Sequence, residues 1–164
     1  CLLSRGLGDV YKRQGCGCVN TRIVRENRTD TKDKIIEKYI PGQSYSVSLH
    51  LSHKSYNIMS INKQITQKIN NSIKLKALLV NIYPSFRDHL FHFIDNILNV
   101  FPNLRGFVGL DFIEYKGELF LIEINPRYTT SMSLIERCKK KHPLDYKYKK
   151  TNDYAGKSCQ LKLI

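Results

Sequence analysis

The sequence predicts an α+β domain, and three observations carry that prediction. Apolar residues alternate with polar ones over residues 45–51, an amphipathic helical pattern covers 86–101, and two apolar segments meet at Lys116-Gly117. The first is the period of a strand in a half-buried sheet, the second that of a helix with one packed face, and the third a tight hairpin.

Taken in order, residues 1–14 show no periodicity and lack an initiator methionine. They are expected to be a non-native, adapter-like segment, leaving residues 15–164 as a partial domain incomplete at both ends. A glycine-bearing turn at Gly15-Cys16-Gly17-Cys18 precedes a strand over 19–24 and a polar loop over 25–33. Residues 35–40 are β-rich and stop at Pro41-Gly42, a strong turn signal. Tyr45, Val47, Leu49 and Leu51 then alternate with Ser46, Ser48 and His50, which predicts one buried and one solvated face. Shorter β-rich runs at 57–62 and 75–83 flank a turn at Asn70-Asn71.

In the helix, Phe86, Leu90, Phe93, Ile94, Ile97, Leu98 and Phe101 share a face, with Ser85 as the expected N-cap and Pro102 as the stop. Strands over 106–115 and 118–125 follow, then a short helix over 130–138. The alternating residues 157–164 predict a last strand.

The chain has 164 residues, enough for one core, and an ordinary 41% hydrophobic and 25% charged composition. No apolar run approaches the ~18 residues of a membrane helix, and the start lacks signal-peptide order, so a cytoplasmic protein with no membrane partner is expected. The formal charge of +13 raises the question of nucleic acid. Residues 1–14 contribute +2, 15–137 contribute +5 and 138–164 contribute +6, so the excess lies at the ends. Basic tails of this kind are commonly solvated, and no nucleic-acid partner is expected. The five cysteines (Cys1, Cys16, Cys18, Cys138 and Cys159) are odd in number and irregular in spacing, which argues against a disulfide framework.

Chemistry concentrates in the hairpin. Asp111 sits inside the apolar run 107–113, and Glu123 inside the equally apolar run 119–124. Asn125, two residues after Glu123, points to the same side of its strand. With the turn at Lys116-Gly117, cross-strand positions sum to 233 or 234, which places Asp111 opposite Glu123 to within one residue. Two facing carboxylates repel, and one is forced towards its neutral form unless a cation lies between them. Hard oxygen donors from few residues suit Mg²⁺, with Mn²⁺ as a substitute. Such an ion leaves room for phosphate and water, and Arg127 follows closely enough to meet the same phosphate groups.

Glu123-Ile124-Asn125-Pro126-Arg127, preceded by Gly109-Leu110-Asp111, resembles the ATP-grasp ligases. The extension Tyr128-Thr129-Thr130-Ser131 is most similar to the branch containing tyramine–glutamate ligase and related amino-acid ligases. Upstream, Glu37-Lys38-Tyr39-Ile40-Pro41-Gly42 resembles the family's adenine-gripping strand and linker. Gly15 and Gly17 resemble its glycine loop over the phosphates, and Asn62-Lys63-Gln64 sits where relatives carry a polar Asn-x-Gln segment.

The resemblance implies an ATP-grasp fold of antiparallel sheets with flanking helices, and an ATP- and Mg²⁺-dependent ligase that joins a small-molecule carboxylate to an amine through an acyl phosphate. It implies Asp111, Glu123 and Asn125 as metal ligands, Arg127 as the catalytic cation, and Glu37, Lys38, Tyr39 and Ile40 around adenine. Two departures stand out. The lysine that the family carries before the glycine loop is missing, and Ser44 stands where relatives have a ribose-binding Glu. They favour a rival reading as an inactive relic or nucleotide-binding module, which the intact hairpin disfavours. The substrates and the oligomeric state are left open.

Overall fold

The computed structural model describes residues 38–53, 55–70, 72–139 and 158–162. The expectations for residues 1–14, the Gly15/Gly17 loop, the strand over 19–24 and Glu37 lie outside these residues. Lys38 to Ile40, expected at the end of a strand, have no regular structure. The Gly42 amide closes a tight turn onto the Ile40 carbonyl at 2.9 Å, and Pro41 has no amide to offer a neighbouring strand.

Among the described residues six strands form one antiparallel sheet: β1 (Gln43–Leu51), β2 (Tyr56–Ile69), β3 (Ser72–Val80), β4 (Gly106–Tyr115), β5 (Glu118–Asn125) and β6 (Cys159–Lys162). Their spatial order is β5-β4-β1-β2-β3-β6. The strand with the clearest alternation, β1, thus lies between β4 and β2.

Helix α1 (Arg87–Val100) covers one face. Its Leu90 and Ile94 are fully buried against Val47, Leu49, Leu110 and Phe112 of β1 and β4. Removing an aliphatic side chain of this size from water stabilises the fold by roughly 1.5–3 kcal/mol. The expected N-cap needs correction, because Phe86 occupies the cap position with no side-chain cap bond. The turn before the helix is closed by the Arg87 amide on the Pro84 carbonyl, and the Phe86 ring packs edge-on against Tyr45 at 4.8 Å. Burying that ring outweighs the ~1 kcal/mol a serine cap offers.

The solvated face expected for β1 is also corrected, since Ser46 and Ser48 are buried with the apolar residues. The expected helix over 130–138 forms as two short pieces, α2 (Thr130–Ser133) and α3 (Ile135–Lys139), broken at Leu134. The break lets Met132, Leu134, Ile135 and Cys138 all pack on Met59, Leu78 and Val80. This second cluster covers the β2–β3 side of the face opposite α1. Cys138 and Cys159 are free thiols. Burial first, and then Cys159 beside it, push the Cys138 thiol up to about 12.

Among the described residues no helix is long and apolar enough to cross a membrane.

Candidate functional site

The β4–β5 hairpin turns at Lys116 (φ +54°) and Gly117 (φ +84°), the left-handed pair of a two-residue hairpin loop. That loop sets the register. Tyr115 pairs with Glu118 and Phe112 with Leu121, pairs that sum to 233. A bulge at Ile122 then adds one residue, so that Asp111 pairs with Glu123 and Gly109 with Asn125, pairs that sum to 234. The bulge places Asp111 directly opposite Glu123, with Asn125 next along on the same side.

That side is the one away from α1, and polar residues run across it from strand to strand. Asp111 pairs with Ser46 of β1, and Ser46 with Asn62 of β2. Two residue pairs further, Asn125, Gly109, Ser48 and Ser60 form a parallel row. Asn62 Nδ2 donates to Ser46 Oγ at 3.2 Å and to Ser48 Oγ at 3.3 Å. Ser48 Oγ meets Ser131 Oγ at 2.9 Å, and Ser131 Oγ meets Thr129 Oγ1 at 3.0 Å. The loop after Asn125, which carries Arg127, is thereby tied to the sheet. Gly109 makes this approach possible, because a Cβ there would lie 2.7 Å from Thr129 Cγ2.

Asp111 is held by two side chains. Gln64 Nε2 donates to its Oδ1 at 3.0 Å, and Asn125 Nδ2 to its Oδ2 at 3.2 Å. Arg127 is exposed, and its Nη2 donates to Asn125 Oδ1 at 3.4 Å. Asp111 keeps some exposed surface as a residue, yet its carboxyl is packed round. Burial, and next the charge of Glu123, push that carboxyl from 3.8 up to about 7. The Gln64 and Asn125 hydrogen bonds and the Arg127 charge pull the other way without restoring it. Two donors and a guanidinium therefore do not offset the burial and the neighbouring Glu123 charge that disfavour an ionised Asp111, a condition that a divalent cation relieves. Two carboxylates and an amide oxygen on one face fit Mg²⁺ chemically. Among the described residues no three His, Cys, Asp or Glu side chains gather into a metal cluster, since the third donor here is an amide.

The remaining candidates are more dispersed. Ser44 is half-buried on the same face, opposite Ile113 and two pairs beyond Ser46. Lys38 and Tyr39 are exposed, and Ile40 is half-buried in the segment leading into β1. Gly15, Gly17 and Glu37 lie outside the described residues. A cleft of about 320 Å³ lined by Tyr45, Pro84, Phe86, His89 and Glu114 opens on the α1 side and includes none of these residues.

Sequence reasoning placed Gln64 in a polar Asn-x-Gln segment without linking it to Asp111, and assigned Ser46 and Ser48 to solvent. The polar positions of β1 and β2 already alternated in phase with Asp111 once the strands were paired, and that was the signal for all three.

Comparison with known proteins comes down on one family. An ATP-grasp domain model matches residues 10–131. The chain is 33% identical over 98 residues to a tyramine–L-glutamate ligase of Methanocaldococcus fervens, a match covering 60% of this chain and 32% of that protein. The corresponding enzyme of Methanocaldococcus jannaschii is 32% identical over 98 residues, covering 60% and 30%. The match thus spans about a third of the length of these relatives. Among solved structures, an ATP-grasp superfamily protein from Archaeoglobus fulgidus superposes with a TM-score of 0.54 at 26% identity, covering 64% of this chain and 34% of that one. An L-amino acid ligase from Bacillus licheniformis gives 0.56 at 11% identity, covering 63% and 26%, and shares the fold.

Proposed function

This chain belongs to the ATP-grasp family, and we propose that the whole protein is an ATP- and Mg²⁺-dependent ligase joining an amino-acid carboxylate to an amine. The observation that supports it most is the direct pairing of Asp111 with Glu123, with Asn125 hydrogen-bonded to Asp111 on the same face. The likeness to tyramine–L-glutamate ligases supports the amino-acid and amine classes.

The reaction has two steps. A substrate carboxylate oxygen attacks the γ-phosphorus of ATP, the bond to the bridging oxygen breaks, and ADP leaves behind an acyl phosphate. The amine nitrogen then attacks the acyl carbon, phosphate departs, and the nitrogen loses its proton to give the amide. Mg²⁺, when bound, would supply divalent charge that offsets the charge of the phosphates.

Asp111, Glu123 and Asn125 are the residues to hold that ion. Arg127, exposed beside Asn125, offers its guanidinium to the acyl phosphate and the tetrahedral species that follows. Ser44, on the same face, can hydrogen-bond a ribose hydroxyl. The resemblance adds the backbone of Glu37, Lys38 and Ile40 at the adenine edge, with Tyr39 among the nucleotide-binding residues, and Gly15 and Gly17 over the phosphates. No covalent nucleophile is needed, because positioning and charge carry the rate.

The test is Glu123→Gln in the whole protein, reading ADP release with ATP, Mg²⁺ and a panel of amino acids and amines. Loss of a carboxylate ligand forfeits several kcal/mol of charge stabilisation, so turnover should fall by at least about 100-fold. A variant that retains activity sinks the assignment.

A further inference from the structure

We propose that Gln64 is a positioning residue that restricts Asp111 to one free oxygen and thereby selects Mg²⁺ over Ca²⁺ at this site. The inference rests on the reading of Asp111, Glu123 and Asn125 as metal ligands.

Gln64 lies on β2 and Asp111 on β4, with β1 between them. Two interstrand spacings amount to ~9–10 Å, more than neighbouring side chains normally bridge. Gln64 crosses that gap diagonally and donates its Nε2 to Asp111 Oδ1 at 3.0 Å. Its own strand is held at that point, since Gln43 Nε2 donates to the Gln64 carbonyl at 2.8 Å. On the β1 side the path is lined by Ser44 and Ser46, which leave room for the long amide side chain.

The two donors on Asp111 differ in kind. Asn125 carries a carbonyl oxygen on the same amide, so a half-turn about its terminal torsion replaces the N–H donor at Oδ2 with a further oxygen ligand. Gln64 gains nothing by the same rotation, because its carbonyl would then face a carboxylate. Oδ1 therefore stays bound to Gln64 when a cation arrives, which takes one of its lone pairs and fixes the carboxylate's orientation, so that Oδ2 is the oxygen with its lone pairs open to the ion.

One oxygen per carboxylate suits Mg²⁺, which demands near-octahedral geometry with short bonds to single oxygens. Ca²⁺ takes six to eight oxygens and readily uses both atoms of a carboxylate. Denying the second oxygen costs Ca²⁺ a ligand and costs Mg²⁺ none. Partners that orient a metal ligand in this way typically account for about 10–100-fold in affinity.

The experiment titrates the full chain with Mn²⁺, followed by its electron paramagnetic resonance, and displaces the ion with Mg²⁺ or Ca²⁺. Asp111→Asn defines the share of binding that belongs to this site. Gln64→Met matches the side chain's length without the donor, and Gln64→Asn keeps the donor on a stem too short to cross β1. Gln64 is only half-buried, so both substitutions leave the core intact. Both variants lose the orienting bond and should bind Mg²⁺ about tenfold more weakly, while Ca²⁺ regains the freed oxygen as a ligand and should change less than about threefold, moving the ratio towards Ca²⁺. An unchanged ratio in either variant, including equal weakening of both ions, overturns the role of Gln64. A wild-type chain with no Asp111-dependent binding of any of the three ions overturns the ligand assignment itself, and this role with it.

Discussion

Asp111→Asn is expected to stabilise the metal-free chain near pH 8 while abolishing its response to Mg²⁺. The Asp111 carboxyl rises from 3.8 in the free state to about 7 in the fold, through burial first and Glu123 second. Because the folded value lies above the unfolded one, the stability Asp111 contributes is fully present below about pH 3.8 and is lost as pH rises through about 7. At ~1.4 kcal/mol per pH unit, the rise corresponds to about 4 kcal/mol of strain near pH 8. Asparagine carries no such charge and still accepts from Gln64, but its own amide N–H₂ then faces the Asn125 amide N–H₂ as donor against donor, forfeiting about 1 kcal/mol. A net gain of about 3 kcal/mol in a chain of this size raises the melting temperature by roughly 6–12 °C.

The assay is thermal melting by circular dichroism with a chelator present, at about pH 4 and about pH 8. The gain should be large at the higher pH and absent at the lower. Millimolar Mg²⁺ should then raise the wild-type midpoint near pH 8, because a ligand that binds only the folded state stabilises it, and should leave Asp111→Asn unmoved. A variant that melts below wild type near pH 8 in chelator, or a difference independent of pH, refutes the argument that this carboxylate is stored in an unfavourable state for a cation.

Three further outcomes follow from the packing. Gly109→Ala forces a Cβ to within 2.7 Å of Thr129 Cγ2 and should cost about 1–3 kcal/mol in urea unfolding, whereas an unchanged midpoint would show that the loop yields freely. Leu90→Ala empties a fully buried site between α1 and the sheet, and denaturant titration should show a loss of about 2–5 kcal/mol. Cys138, buried and pushed up to about 12, should be alkylated by iodoacetamide far more slowly than the partly exposed Cys159 near neutral pH; mass spectrometry that finds Cys138 modified first contradicts its packing.

Much of this architecture is legible in the residues. The strands of the hairpin begin and end where the sequence places them, Gly106–Tyr115 and Glu118–Asn125, because a two-residue loop with a glycine leaves few alternatives. The α1 helix is one residue shorter at each end than its apolar pattern, and β2 runs seven residues past the expected 57–62, to Ile69. Local pattern shows which residues alternate, while strand length depends on what the neighbouring strand offers. Residues 45–51 illustrate the limit. Their alternation identifies a strand, yet whether Ser46 and Ser48 meet water is decided by chain more than 80 residues away, where Ser131 folds back onto Ser48.

By itself, then, the sequence determined the hairpin, its register to within one residue, and the convergence of Asp111, Glu123 and Asn125 on one face. These are consequences of short-range geometry, since a tight turn and a period of two leave little freedom. The tertiary structure alone decided the rest. It resolved the register through a bulge at Ile122, set β1 between β4 and β2, and covered the polar face with the two short helices. It also brought Gln64 across an intervening strand to Asp111, 47 residues away in sequence. No local pattern encodes that contact, because it depends on the order in which strands pair, and strand order is set by the packing of the whole sheet against its helices.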